Sequence, residues 1–369
     1  MNTLRHAYDH SLAAALQHKK DGGKVIGYVS TAVPSELIEA SGAMPVLIRG
    51  DAQRSTALAD EWMEEQFDPM ARSIFDMSLA GELQFLDLLI VPRVADSFMR
   101  LYLYLREVER LNLSAKLPKL LSFDLLQSQS ESSFDYNLAR MTELKGSLET
   151  IAGRPIGDDE IQAAIRNANS NRAALRKLLG LRSSGCIAGS EVLRAIGSRY
   201  ALPINAHTQL VDELFAQHKS TPKPPKLPIV VAGNAQDSSA LYELLEAQGF
   251  SIVGDYHWLG DNCCERDITV NENPLKALTE HYQAHSLTSR RFPQPPDELV
   301  ALCKHNQAHG CVFFLFTAEE ALSWDVPNQV RALEHAQIAA VVLDNQPYAP
   351  RIDASLQDKL DAFKASMRK

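Results

Sequence analysis

The chain has few cysteines, no long apolar run, no excess of basic charge and none of the common short catalytic signatures. Each absence removes a class of function. The five cysteines, Cys186, Cys263, Cys264, Cys303 and Cys311, are odd in number, form no Cys-x-x-Cys pair and leave the first half of the chain empty. That usage points to reduced thiols in a cytoplasmic protein rather than to a disulfide framework. The longest buried-looking runs, 86–92 and 311–316, fall far short of the roughly 18 apolar residues of a membrane span. Near the N-terminus only 12–16 is apolar, between Asp9 and Lys19-Lys20, so no secretory signal is expected. Lys and Arg number 37 against 46 Asp and Glu, a net charge of −9. An acidic balance without a basic run argues against nucleic acid or an anionic membrane as partner, and leaves open a local pocket for an anionic ligand. Gly-x-Gly-x-x-Gly, Gly-x₄-Gly-Lys-[Ser/Thr], Gly-x-Ser-x-Gly and His-Glu-x-x-His are all missing. Simple dinucleotide, nucleotide, α/β-hydrolase and zinc-protease readings thereby lose their main support.

What is present is an ordinary globular composition, 45% apolar and 22% charged over 369 residues. At roughly 150 residues per domain, two domains are expected. Residues 24–30 read as a strand, Pro34 onward as a helix stopped by Gly42, and 44–48 as the next strand, a βαβ unit with a parallel sheet. Strand 86–91, helix 97–111 and strand 117–123 continue it. From about 135 to 199 the period is helical, broken at Gly153-Arg-Pro-Ile-Gly157, with Asp158 or Asp159 expected to cap the following helix. Ile161, Ile165, Ala168 and Leu175 share one apolar face, while Arg166 and Arg176 should stay wet. Clustered prolines in 220–228 mark a linker. Strands at 229–232, 250–254, 311–316 and 339–343 then alternate with helices at 238–248, 274–285, 296–309, after Pro327 and 355–367. The expected architecture is therefore α/β, two doubly wound parallel-sheet domains of flavodoxin or Rossmann type, at 1–134 and 220–369, joined by a helical bridge at 135–219. Both should present ligand-facing loops at the carboxyl ends of their strands.

Three segments are candidates for chemistry. In the turn Ser30-Thr31-Ala32-Val33-Pro34-Ser35-Glu36, hydroxyls and first-turn amides suit a carbonyl or an anion, or serve as a plain helix cap. The strand end Pro92-Arg-Val-Ala-Asp-Ser97 places Asp96 beside it, as ligand contact or cap; its counterpart in the second domain is Phe316-Thr-Ala-Glu-Glu320, and the Gly233-Asn234 turn follows the first strand after the linker. Thr317, Glu319 and Glu320 read as the cap and first turn of a helix. Cys263-Cys264, six residues after His257, is the one local concentration of thiols. Adjacent cysteines rarely ligate one metal together, so a reduced pair is expected rather than zinc.

The order of these segments resembles the 2-hydroxyacyl-CoA dehydratase and benzoyl-CoA reductase family. The resemblance is carried by 27–45 (Gly-Tyr-Val-Ser-Thr-Ala-Val-Pro-Ser-Glu-Leu-Ile-Glu-Ala-Ser-Gly-Ala-Met-Pro), by Met70-Ala-Arg-Ser73 and by 81–92 (Gly-Glu-Leu-Gln-Phe-Leu-Asp-Leu-Leu-Ile-Val-Pro). Further along it continues through 161–172, Val231-Ala-Gly-Asn-Ala235 and Leu245-Glu-Ala-Gln-Gly249, so it spans nearly the whole chain. It implies paired two-domain subunits, an acyl-CoA thioester between the domains beside an iron-sulfur cluster, and an electron supplied by a separate ATP-hydrolysing activator. From their segments at the carboxyl ends of strands, Ser30, Thr31, Glu36, Asp96, Gly233 and Asn234 are the expected substrate contacts.

The three cluster thiolates of that family correspond here to Phe67 or Asp68, to Ala95 and to a position near Ala318, and none is cysteine. A low-potential cluster needs its thiolates. The leading expectation is therefore a subunit without a cofactor, binding an acyl-CoA or related thioester and forming a dimer with a cluster-bearing homologue or with itself. A complete dehydratase subunit with an unconventional [4Fe-4S] cluster on Cys263 or Cys264 and Cys311 is one alternative. A non-enzymatic acyl-CoA or small-acid binding protein is another.

Overall fold

The structure is a computed structural model that describes residues 3–113, 116–219, 221, 223–285, 295–317 and 319–367. Two short helices, α1 (Thr3–Asp9) and α2 (Ala13–Lys20), precede β1 (Val25–Tyr28), α3 (Ser35–Ala40), β2 (Met44–Leu47), α4 (Pro69–Leu79), β3 (Leu88–Pro92), α5 (Asp96–Arg110) and β4 (Leu120–Phe123). The strands pair in parallel in the order β2-β1-β3-β4. β1 and β3 are buried at every position, as helices on both faces require of short apolar runs. β2 holds Pro45, which an edge strand tolerates because among the described residues no strand neighbours its outer side. Gly42 ends α3 with φ +84°, a conformation that favours glycine.

Four helices follow, α6 (Glu131–Ala152), α7 (Asp158–Ser183), α8 (Gly189–Ser198) and α9 (Ile204–His218). Gly153 closes α6 in the left-handed region. The cap of α7 differs from expectation: Gly157 is the N-cap, and its amide donates to Glu160 Oε2 at 2.9 Å, while Asp158 and Asp159 lie inside the first turn. Without a side chain at the cap, the reciprocal glutamate supplies the bond. Ile161, Ile165, Ala168 and Leu175 are all buried on one face of α7. Arg166 is exposed, whereas Arg176 is half-buried and pairs with Asp267 at 2.9 Å.

The second sheet repeats the first. β5 (Pro228–Gly233), α10 (Ala240–Ala247), β6 (Ser251–Tyr256), α11 (Pro274–His285), α12 (Pro296–His305), β7 (Gly310–Phe316), α13 (Val326–His335), β8 (Ala339–Gln346) and α14 (Ala354–Ser366) give a parallel sheet of order β6-β5-β7-β8. In each sheet the winding reverses between the first and third strands, β1 and β3 or β5 and β7. Ligands of open α/β sheets bind at such reversal points. The chain does not keep its two halves apart. Leu259, Ile268, Leu278 and Tyr282, numbered with the C-terminal part, share a core with Ile26, Leu37, Ile90 and Ile161 of the N-terminal part. No helix expected after Thr317 forms among the described residues there; Thr317 Oγ1 donates to the Gln346 carbonyl and a 3-10 turn follows at Leu322–Trp324. Among the described residues no helix is long and apolar enough to cross a membrane.

Candidate functional site

The two reversal points face one cavity of about 870 Å³, within the size range of small-molecule pockets. Ser30 reaches it from the end of β1, Ala95 and Asp96 from the end of β3, and Phe67 and Asp68 from the start of α4. From the other sheet come Gly233 and Asn234 at the end of β5, His257 and Trp258 after β6, and Glu319 and Glu320 after β7. Trp324, 70% exposed, stands on its rim. Ser30, Asp96, Gly233 and Asn234 are thus brought together although more than a hundred residues separate the pairs.

Thr31 and Glu36, grouped with them in the sequence, do not line the cavity. Thr31 Oγ1 donates to the Trp258 carbonyl at 3.0 Å, which ties the first turn to the second half of the chain. Glu36 is fully buried under α3, where Arg172 donates to its Oε1, Arg199 Nη2 lies at 3.8 Å and the Tyr282 hydroxyl donates to Oε2 at 2.6 Å. The turn after β1 points one way and the inner face of α3 the other, so neighbours in sequence serve different surroundings.

Two residues set the floor. Asn234 spans the strand ends, its Oδ1 accepting from the Phe316 amide at 2.9 Å and its Nδ2 donating to Glu319 Oε2 at 2.6 Å. Gly233 has φ +109°, and a Cβ there would stand 2.3 Å from the Phe314 carbonyl oxygen. Backbone strain and overpacking act together at such a position, so Gly233→Ala is expected to cost about 2–4 kcal/mol of unfolding free energy. Urea unfolding checks this; a variant within about 0.5 kcal/mol of the parent, the range of a neutral surface change, contradicts it.

The wall is acidic. Among its described residues six carboxylates, Glu64, Asp68, Asp96, Glu319, Glu320 and Asp325, face one guanidinium, Arg100. Burial pushes Asp68 up to about 6; the Ala71 amide opposes this at 2.8 Å, and the Glu319 and Asp237 charges add to it. Asp68 therefore keeps part of its proton near neutrality and can donate as well as accept. No local signal marks that role, because an aspartate directly before Pro69 is no more, within its own segment, than the cap of α4.

The positions at which the resemblance implies cluster thiolates converge on this wall, since Phe67, Asp68 and Ala95 all line it; Ala318 lies outside the described residues. None of the cavity's described lining residues is a cysteine. The Cys263 thiol donates to the Trp258 carbonyl at 3.1 Å and the Cys264 thiol to the Asp261 carbonyl at 3.3 Å. Burial pushes Cys263 up to about 11 despite Tyr200 and Arg199, so it stays a thiol. Cys264 packs in the core of the helical layer and Cys311 in the core of the second sheet beside Cys303, so the set Cys263 or Cys264 with Cys311 is not assembled around one point. Among the described residues no group of three His, Cys, Asp or Glu side chains is disposed to hold a metal ion. The donor set does not fit a thiolate-held iron-sulfur cluster.

Comparison with known proteins gives one family and several relatives. Residues 30–367 match the family model described as 2-hydroxyglutaryl-CoA dehydratase, D-component. The chain is 25% identical over 320 residues to a benzoyl-CoA reductase subunit of Thauera aromatica, covering 83% of this chain and 81% of that one. It is 22% identical to the (R)-phenyllactyl-CoA dehydratase beta subunit of Clostridium sporogenes, over 88% and 87% of the two chains. To the (R)-2-hydroxyglutaryl-CoA dehydratase beta subunit of Acidaminococcus fermentans it is 23% identical, over 95% and 94%.

Proposed function

Because the chain belongs to the 2-hydroxyglutaryl-CoA dehydratase D-component family, we propose that it is a cytoplasmic, cluster-less subunit that takes the acyl end of a CoA thioester into the interdomain cavity, beside a cluster-bearing homologue. The observation that carries this reading is the cavity itself: it sits at both reversal points, and Phe67, Asp68 and Ala95 stand on its wall where the resemblance puts thiolates. Relatives named as subunits of a reductase and of dehydratases support a paired assembly. In such a pair the chain's own residues shape the pocket, exclude water and supply hydrogen bonds. Water exclusion matters because fixed dipoles act most strongly on developing charge in a dry site. The acidic wall keeps the phosphates of the CoA nucleotide outside, and Asp68, pushed up to about 6 by its burial, stands toward the acyl end. Reduction of the neighbour's cluster falls to an ATP-dependent activator.

Two measurements test this. Anaerobic purification and reconstitution are expected to leave the chain without stoichiometric iron or sulfide, and about four irons per chain would overturn the cluster-less reading. Light scattering on the chain alone and after co-expression with a cysteine-bearing homologue is expected to give a stable dimer in at least the second sample, with an interface above roughly 1,000 Å². A monomer mass in both rejects the subunit role.

A further inference from the structure

The end of β6 holds a buried relay that the cavity reading leaves unused. Arg182 near the end of α7, Tyr242 of α10, and Asp255, His257 and Asp261 around β6 are all buried. Arg182 Nη1 lies 3.3 Å from Asp255 Oδ2, and its Nη2 pairs with Asp261. The Asp261 amide donates to Asp255 Oδ1 at 2.7 Å. Held by a guanidinium and an amide, Asp255 acts as an acceptor only. The Tyr242 hydroxyl stands 3.0 Å from Asp255 Oδ2 and 3.0 Å from His257 Nε2.

A phenol has one proton, and the carboxylate takes it. Toward His257 the phenol oxygen must then accept, so Nε2 carries the imidazole hydrogen; this tautomer is assigned from the network. Nδ1 is left with a bare lone pair, and it has no partner among the described residues. His257 is 3% exposed and forms part of the cavity wall. Burial pushes its pKa down to about 4, Asp261 opposing and Arg182 assisting, so the ring is neutral at pH 7. The relay is closely fitted, since a Cβ on Gly260 would stand 1.8 Å from Asp255 Oδ1. A buried acceptor without a partner is costly and calls for a donor.

We propose that His257 Nδ1 accepts a hydrogen bond from an uncharged hydroxyl of the ligand in the interdomain cavity, with Tyr242, Asp255 and Arg182 as positioning residues that fix its tautomer. The ligand class is a hydroxyacyl thioester, and this part rests on the function proposed above. An ammonium group would seek the wall carboxylates instead; a neutral acceptor suits a neutral donor.

The test pairs a spectroscopic readout with a binding cycle. Long-range proton-nitrogen NMR of protein labelled in histidine is expected to show His257 as the Nε2–H tautomer, and Tyr242→Phe is expected to abolish that fixed state. Calorimetric titration with 2-hydroxybutyryl-CoA and butyryl-CoA is expected to show a preference of about tenfold for the hydroxy thioester, the size of one buried hydrogen bond. His257→Phe should remove the preference between the two thioesters, and Tyr242→Phe, which leaves the imidazole in place, should reduce it several-fold. An Nδ1–H tautomer, or an equal preference in the parent and both variants, overturns the proposal while the thioester reading stands. Failure of either thioester to bind overturns the thioester reading and the ligand assignment with it.

Discussion

Replacing Glu36 by glutamine is expected to cost about 3–5 kcal/mol of unfolding free energy at neutral pH, the cost of breaking a buried ion pair by removing one partner. The carboxylate joins α3 to Arg172 of α7, to Arg199 after α8 and to Tyr282 of α11. Burial alone would raise its pKa, but the two guanidiniums and the Tyr282 hydrogen bond together hold it down at about 2. A depressed carboxylate contributes stability that is fully present above its ordinary pKa of 4.5 and is lost as pH falls from there toward 2. Glu39, one turn along the same helix, behaves oppositely. Burial and the Glu36 charge raise it to about 8, against the pull of Arg199 and Arg172. The native state therefore binds a proton that the unfolded chain has already released, and stability falls as pH rises from 4.5 to about 8. Glu39→Gln should stabilise the protein on the order of 3 kcal/mol at pH 8 and little at pH 5.

The two sites are coupled, and the coupling changes a sign. Without the Glu36 charge, Glu39 ionises more readily under the pull of Arg199 and Arg172 and becomes a counter-ion for them. The second substitution is therefore expected to stabilise the parent and to destabilise Glu36→Gln. Urea unfolding of the parent, both single variants and the double variant at pH 5 and pH 8 gives the cycle directly. Additive effects, or a Glu36→Gln variant within about 1 kcal/mol of the parent against the expected cost of an unpaired buried charge, would remove this account.

Arg182→Met is expected to be about as damaging at pH 8, again about 3–5 kcal/mol, and its deficit too should shrink toward acid, in a higher pH window. Arg182 is 1% exposed at its side chain and is the cation that neutralises both Asp255 and Asp261. Even with it in place, burial and the Asp255 charge keep Asp261 up at about 6, against the Arg182 charge. Removing the cation raises Asp261 further, so the native state holds a proton the unfolded chain lacks. Stability of the variant should then fall as pH rises from 5 to 8, and the deficit relative to the parent should shrink toward acid. The triple change Arg182→Met, Asp255→Asn, Asp261→Asn should recover most of the loss, because a buried ion cluster replaced as a whole costs far less than one left unpaired. A deficit independent of pH would mean that lost packing, not lost charge, is the cause.

The strands were legible in the sequence because a parallel strand covered on both faces must be apolar throughout, and runs such as 88–92 and 310–316 meet that demand without help from distant residues. The face of α7 was legible for the same kind of reason, since the helical period is local. α1 and α2 were not, because α1 is held by packing on α8 and α2 by the edge of the first sheet, partners that a local window cannot contain. The loops at the carboxyl ends of the strands were found from topology, and four of the six residues named there meet in one cavity.

The chain's own order of residues determined the strands of two parallel sheets and placed no cysteine at Phe67, Asp68 or Ala95. Tertiary structure alone decided what the polar residues do. Glu36 belongs to a buried ion pair and not to the cavity because Arg172 and Tyr282 lie 136 and 246 residues away along the chain. Asp68 is pushed up because the fold buries it, with Glu319 and Asp237 adding to the effect, and the tautomer assigned to His257 follows from where Tyr242 and Asp255 stand. Apolar burial is set by each segment's own periodicity, whereas the charge and proton state of a buried group are set by the sum of its neighbours' fields, and only the fold chooses those neighbours.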